Sequence, residues 1–244
     1  MKSLKTPLRY PGGKSRACEK MGPYFPDLRN YDEFREPFLG GGSVAIYITK
    51  KYPNLDIWVN DLYEPLVNFW QQLQMFGADL KDKLVDLKTT NNTPVLAKEL
   101  FLKAKEQVND KDLPSIDRAV AFYIINKCSF SGLTESSSFS EQASNSNFSL
   151  RGIEKLPGYS SLISKWRITN YSYDYLLDSY RKVIAVTDFE EGSSTGVNTL
   201  FTIEQSMAQQ TYFSYSMGNY GFDLVSWYVL KNWLETREKV LALR

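Results

Sequence analysis

Three places in this sequence carry residue types that could bind a phosphate or a nucleoside. They are "LRYPGGKS" over residues 8–15, "FLGGGS" over residues 38–43, and Asp61 at the end of "NLDIWVND". A phosphate-binding loop of the triphosphatase kind needs Gly, four residues, then Gly-Lys-Ser/Thr, placed after a strand. Counting back from Gly13-Lys14-Ser15, the first glycine should stand at position 8, which is Leu8. Only "MKSLKT" comes before it, with no apolar strand, so the phosphate cradle of that motif is not encoded. Two readings of residues 8–15 remain: a Pro-Gly turn that exposes Lys14, or a segment whose lysine serves another ligand.

The second stretch is more informative. "REPFLGGGS" puts glycines between an extended run and a helical one. A glycine turn there lets a ligand approach the backbone, and the following helix start offers free N–H groups. The spacing is not Gly-x-Gly-x-x-Gly, because Ala45 takes the last position. Asp61 ends the next apolar strand about 20 residues on, where an acid accepts from ribose hydroxyls in cofactor-binding α/β halves. Asp61 could equally cap the helix that begins at "EPLVNFW", or do both.

Such a turn needs a strand before it, a helix after it and a second strand beside it, and the pattern of residues 1–70 supplies them. "YDEFREPFL" reads as extended, "GGGSVAIYITKKY" as a turn and helix, "NLDIWVND" as a strand, and "EPLVNFWQQLQMF" as a helix. This is the opening of a doubly wound α/β domain. Residues 79–125 carry apolar stripes with charged backs and predict helices. Residues 129–152, rich in Ser and Asn, predict a long loop with Phe130, Phe139 and Phe148 as apolar anchors. The α/β pattern returns in "WRITNYS", "YDYLLDSY" and "KVIAV". A polar Gln- and Tyr-rich stretch and an amphipathic helix ("LVSWYVLKNWLETREKVLALR") follow.

Composition narrows the chemistry. The 244 residues are 43% hydrophobic and 23% charged, ordinary for a globular chain, with a net charge of +1 that announces no polyanion partner by itself. Histidine is absent, which excludes triads, acid–base pairs and zinc sites built on it. The two cysteines, Cys18 and Cys128, stand alone, so neither a disulfide framework nor a metal site is expected. No apolar leader or run of about 18 apolar residues occurs, and a cytosolic protein without membrane contact is expected.

Taken in order, "LRYPGGK", "EPFLGGGSV", "VNDLYEPLVNFW", "RAVAFYIINKCSFSGLTESSSFS", "NFSLRGIEKL" and "RITNYSYDYLL" resemble the adenine-N6 DNA methyltransferases of the Dam/D12 class, in the version found in phages. The likeness covers roughly residues 6–180. It implies a Rossmann-like, S-adenosylmethionine-dependent α/β domain (residues 1–75 and 160–244) with an inserted helical target-recognition lobe (residues 76–159). It implies methyl transfer from that donor to N6 of an adenine flipped out of duplex DNA, without a metal. The partner would be double-stranded DNA, the protein a monomer or weak dimer, and the setting the cytoplasm of a bacterium or phage-infected host. By the same likeness, Tyr10 and Lys14 contact the donor, residues 38–42 (with Phe38, Gly40 and Gly42) approach its methionine part beside Glu36, and Asp61 meets the ribose. Lys127, Ser129, Ser131 and Arg151 would contact DNA.

One motif departs from the family. The catalytic Asp-Pro-Pro-Tyr is missing; after "KVIAV" the chain reads "TDFEEG", and no proline follows Pro157. Asp188, expected at a strand end, is the best match for the motif's aspartate, which also borders the donor. Phe189 and Glu190 replace the prolines that would stiffen the loop, and Glu191 stands where a ring would stack on the base. The departure implies impaired catalysis and keeps open a relative that binds donor or DNA without methylating. A small-molecule methyltransferase fits less well, since small substrates need no Ser/Asn-rich lobe. The tail from residue 192 looks short for the remaining strands of a seven-stranded sheet.

Overall fold

The computed structural model describes residues 5–10, 13–25, 27–132, 136–177, 183–190, 197–204, 210–218 and 221–222. A short helix, α1 (Cys18–Met21), precedes β1 (Glu33–Glu36), which is buried along its whole length. The glycine turn leads into α2 (Ser43–Lys51), then β2 (Asp56–Asn60) and the long α3 (Glu64–Thr90). Helices α4 (Pro94–Gln107), α5 (Ser115–Cys128), α6 (Glu141–Asn147), α7 (Leu150–Ile153) and α8 (Leu156–Leu162) follow. The chain then returns to strand β3 (Arg167–Thr169), helix α9 (Asp174–Leu177), and strands β4 (Val183–Glu190), β5 (Val197–Glu204), β6 (Gln210–Gly218) and β7 (Gly221–Phe222).

Among the described residues, seven strands form one sheet in the order β3-β2-β1-β4-β5-β6-β7. Strands β3, β2, β1 and β4 run parallel, with Phe34 opposite Ile57 and Ile184. Strands β4 to β7 are antiparallel neighbours. The chain goes outward from β1 to β2 and β3, then comes back to β4 on the other side of β1. That reversal opens a crevice at the C-terminal ends of β1 and β4, where open α/β sheets bind ligands.

The tail is not too short for seven strands. Parallel strands need crossovers of a dozen or more residues, whereas antiparallel neighbours need only a hairpin. The polar Gln- and Tyr-rich stretch contributes β6. The expected final helix lies outside the described residues.

The Ser/Asn-rich region also differs from its expected form, because it contains α6 and the start of α7. Ser140 and Ser149 each accept a hydrogen bond from a first-turn backbone N–H, of Ala143 and Gly152 respectively. Serine disfavours helix interiors but favours helix starts, so composition alone hid both helices. Phe148 is buried and Phe139 packs on Phe101, as anchors should. Phe130 is 66% exposed and does not anchor the region.

Helix α3 kinks at Phe76, where φ is −132° and ψ 39°. Its neighbour Gly77 lies against α8 so closely that a Cβ there would sit 2.5 Å from Ser160 Cβ. The Ser160 hydroxyl donates to the Gln74 carbonyl (3.0 Å), taking up an acceptor at the kink. Before the kink, Trp70 packs on Trp166, while Phe69 packs on Phe122 and Tyr123 of α5. Sheet and helices therefore share one continuous cluster of buried residues. Among the described residues, no helix is long and apolar enough to cross a membrane.

Candidate functional site

The C-terminal ends of β1 and β2 are tied into one rim. Leu39 N–H donates to the Asn60 carbonyl (2.8 Å), and the Asn60 side-chain amide donates to the carbonyls of Pro37 (3.2 Å) and Tyr171 (2.9 Å). The Asn60 Oδ1 accepts from Thr169 Oγ1 and from Tyr171 N–H. This buried amide holds the ends of β1, β2 and β3 together. Reading the sequence missed it; the available signal was a second polar residue, beside Asp61, closing an apolar strand.

The turn between β1 and α2 has Gly40 at φ +48° and Gly42 at φ +66°. Side chains rarely adopt that region, and space forbids them too. A Cβ on Gly42 would lie 2.7 Å from the Trp70 ring, and one on Gly40 2.9 Å from the Tyr10 ring. Trp70, also missed in the sequence reading, further braces the turn by donating its indole N–H to the Gly40 carbonyl (3.1 Å). The first turn of α2 is held by Glu36, whose Oε2 accepts from Ala45 N–H at 2.9 Å. A buried carboxylate at a helix N-terminus is favoured by the helix dipole.

Asp61 faces the same turn. Its Oδ2 accepts from Gly40 N–H (2.9 Å) and its Oδ1 from Tyr63 N–H (3.1 Å), so it both shapes the turn and leads into α3. Burial raises its pKa above the ordinary aspartate value, while the N–H groups of Gly40, Tyr63 and Leu62 pull the other way. A carboxylate has about four lone-pair sites. The backbone N–H groups of Gly40, Tyr63 and Leu62 do not use them all, which leaves acceptor capacity for a hydroxyl.

Tyr10 comes to this rim from the N-terminal segment, and the turn Lys14–Arg16 lies by the start of α2, where Ser15 Oγ is 2.7 Å from Ser43 Oγ. The half-buried Tyr10 ring lies over Gly40 and Gly41. Lys14 is only 4% exposed, which removes the reading of residues 8–15 as a turn that merely exposes a lysine. Phe38 is half-buried and packs on Tyr173 with ring centroids 5.5 Å apart. The fold thus brings Tyr10, Glu36, Phe38, Gly40, Gly42 and Asp61 around one turn. A glycine turn, a helix start and an ionisable acid at the strand end suit a nucleoside ligand with an amino-acid tail.

Asp188 departs from its expected position. It is not at a strand end but inside β4, opposite Thr199 of β5, and the strand continues to Glu190. Without proline, residues 183–190 keep every backbone N–H for pairing, so nothing stops the strand at the aspartate. Asp188 lies beyond Ala185, the last β4 residue paired with β1, on the C-terminal side of the parallel strands. Glu191 lies outside the described residues.

The expected DNA contacts separate. Arg151 is exposed on α7. Ser129 is fully buried, with its carbonyl accepting from Arg9 Nη1 (2.9 Å), so its side chain is a packing element rather than a surface contact. Lys127 is buried with its ammonium 5.2 Å from the Tyr123 ring centroid, and burial, with Arg9 nearby, lowers its pKa to about 8. These two residues look like loop residues in the sequence, but α5 extends through Cys128 and encloses them. Ser131 lies in the single turn Phe130–Gly132.

A cleft of about 890 Å³ opens elsewhere, lined among others by Phe25, Leu28, Tyr31, Tyr52 and Leu55. It sits before the first residues of β1 and β2, at the opposite end of the strands from the rim. Topology rather than volume marks the rim as the site.

Comparison with known proteins agrees with this geometry. The family model of the D12 class N6 adenine-specific DNA methyltransferases matches residues 10–186. The type II methyltransferase M.MjaIII of Methanocaldococcus jannaschii is 26% identical over 138 residues, covering 52% of this chain and 46% of that protein. The DNA N-6-adenine-methyltransferase of Escherichia phage P1 is 30% identical over 128 residues, covering 52% of this chain and 15% of that protein. The matched regions span less than half the length of either relative. With the match running from Tyr10, over the glycine turn, to Val186 in β4, the chain belongs to the D12 class N6 adenine-specific DNA methyltransferase family.

Proposed function

We propose that this protein moves a methyl group from S-adenosylmethionine to the N6 amino group of an adenine in double-stranded DNA. The observation that carries the reading is the family match across residues 10–186, which spans the rim where Tyr10 lies over the Gly40–Gly41 turn. The donor supplies an electrophilic methyl on a sulfonium. Lys14 would meet its carboxylate, the Tyr10 ring would flank it, and Asp61 would accept from its ribose hydroxyls. The turn with Phe38, Gly40 and Gly42, held by Glu36 through α2, would take its methionine part.

The adenine amino nitrogen is a weak nucleophile because its lone pair is delocalised into the ring. The base must leave the duplex to be reached. Catalysis then consists mainly in holding the nitrogen in line with the methyl while acceptors hydrogen-bond its two protons, one of which leaves as the N–CH3 bond forms and the C–S bond breaks. Asp188 would be one such acceptor. No histidine is needed for this chemistry. The kink of α3 at Phe76 supports drawing the start of a target-recognition lobe (residues 76–159) there, with the catalytic part formed by residues 1–75 and 160–244. In that lobe the exposed Arg151 is the best-supported phosphate contact. Ser131 is proposed beside it.

Transfer of tritium from labelled S-adenosylmethionine to adenine-unmethylated DNA tests the proposal. Incorporation as N6-methyladenine is expected. Donor binding with no transfer at high protein concentration would sink it, and would describe instead a relative that holds its ligands without methylating.

A further inference from the structure

The segment that carries Tyr10 is gripped by a residue that the functions above do not use. Asn126, near the end of α5, is completely buried. Its Oδ1 accepts from Arg9 N–H (2.9 Å), and its Nδ2 donates to the Arg9 carbonyl and to the Gly132 carbonyl (3.1 Å). One side-chain amide thus pairs with both backbone groups of Arg9, as a neighbouring strand would, and joins them to the loop 129–132. Arg9 Nη1 closes the same connection by donating to the Ser129 carbonyl. Gly132 fits tightly: at φ +74°, an added Cβ would be 2.6 Å from the Arg9 carbonyl oxygen and Cβ.

On the other side of the segment, Thr6 Oγ1 donates to the Gly41 carbonyl, and Tyr10 covers Gly40 and Gly41. A continuous path therefore runs from the loop 129–132 through Asn126 and the Arg9 peptide to Tyr10 and the glycine turn. The loop reaches the surface, where Phe130 is 66% exposed. If the loop shifts, Arg9 and Asn126 must shift with it or lose the bonds from Arg9 Nη1 to the Ser129 carbonyl and from Asn126 Nδ2 to the Gly132 carbonyl.

We infer that Asn126 is a positioning residue that couples the loop 129–132 to the methyl-donor rim, so that DNA and donor each strengthen the other's binding. The inference rests on the function proposed above and adds the coupling, which must be reciprocal if it exists. It places the coupling in a physical chain of hydrogen bonds.

The test is the ratio of two affinities, measured by calorimetry with the full chain. S-adenosylhomocysteine, which cannot be turned over, is titrated without and with saturating sheared DNA lacking adenine methylation. In the wild-type protein, binding is expected to tighten about 5- to 150-fold on adding DNA, the usual range of such coupling. In Asn126→Ala the ratio is expected to fall to near one. A merely structural role would weaken both affinities and leave the ratio intact. Because Asn126→Ala strips partners from three backbone groups, Gly132→Ala provides a second variant that disturbs the same contact from the loop side. A wild-type ratio of one with both ligands bound overturns the inference, as does a wild-type ratio kept by the variants that fold. A wild-type protein that binds no S-adenosylhomocysteine would overturn the functional reading itself and this inference with it.

Discussion

Alanine at Gly42 and alanine at Gly40 should fail in different ways. Gly42 sits at φ +66°, where a side chain costs about 1–2 kcal/mol. Its new Cβ would also lie 2.7 Å and 2.9 Å from two carbons of the Trp70 ring. Trp70 is completely buried and anchored by its bond to the Gly40 carbonyl, so it cannot step aside. Overpacking of that kind costs about 1–3 kcal/mol. Gly42→Ala should therefore lose about 2–5 kcal/mol, read by urea denaturation with linear extrapolation. In a Trp70→Phe background the two clashing carbons are gone, and the loss should shrink to the backbone part of about 1–2 kcal/mol. Gly40→Ala meets a different neighbour. Its Cβ would lie 2.9 Å from the Tyr10 ring, which is half-buried rather than enclosed like Trp70. There the stability loss should stay near the backbone cost, while S-adenosylmethionine binding weakens because the ring is displaced. A Gly42→Ala loss below about 1 kcal/mol, or the same loss in both Trp70 backgrounds, would refute the steric reasoning.

Lys14→Ala should weaken S-adenosylmethionine binding about 10- to 150-fold, the loss of one charge-assisted hydrogen bond, while ATP binds neither protein; equal donor affinity would remove Lys14 from the donor site. Donor affinity should fall on going from neutral to acidic pH, because protonation removes the Asp61 acceptor. Since burial raises that pKa, the fall should start at a higher pH than an ordinary aspartate would give, and Asp61→Asn should abolish the pH dependence in calorimetry. Lys127 has a folded pKa of about 8 against 10.5 for an ordinary lysine, so the unfolded chain binds more protons between those values, and this residue's penalty disappears as pH rises from 8 to 10.5. Lys127→Met should accordingly be more stable than wild type at pH 7 by up to about 3 kcal/mol, with the advantage fading at high pH in denaturation curves. Asp188→Ala should abolish methyl transfer in the tritium assay; unchanged transfer would remove Asp188 from the site.

The glycine turn and Asp61 were legible because their meaning is local. A strand, a turn that only glycine can make, a helix and an acid at the next strand end lie within about 30 residues, a βαβ unit read directly from periodicity. Asn126 was not legible for the opposite reason. Its partner Arg9 is 117 residues away, and nothing in "IINKC" separates a residue that grips a peptide from one that faces water. Lys127 and Ser129 were misjudged in the same place. Their polar types suggested a loop, but α5 runs on to Cys128, and the contacts of Ser129 with Arg9 and of Cys128 with Ser140 close over them.

The stretch around Asp188 shows how one residue type decides between two architectures. An Asp-Pro-Pro sequence cannot extend a central strand, because each proline removes a ladder donor and fixes φ. A strand meeting it must end, and the aspartate then projects from a stiff loop. In residues 183–190 the same position is followed by Phe189 and Glu190, which keep their N–H groups. The strand continues, and Asn198 and Val197 of β5 pair with those two residues. The antiparallel β5 therefore pairs with the whole of β4, including Asp188 and the two residues after it. On the function proposed above, an acceptor for adenine protons at Asp188 would be presented from a paired strand rather than from a stiff loop. In the proposed reaction, the orientation of that acceptor, rather than the presence of a carboxylate in the sequence, would decide methyl transfer.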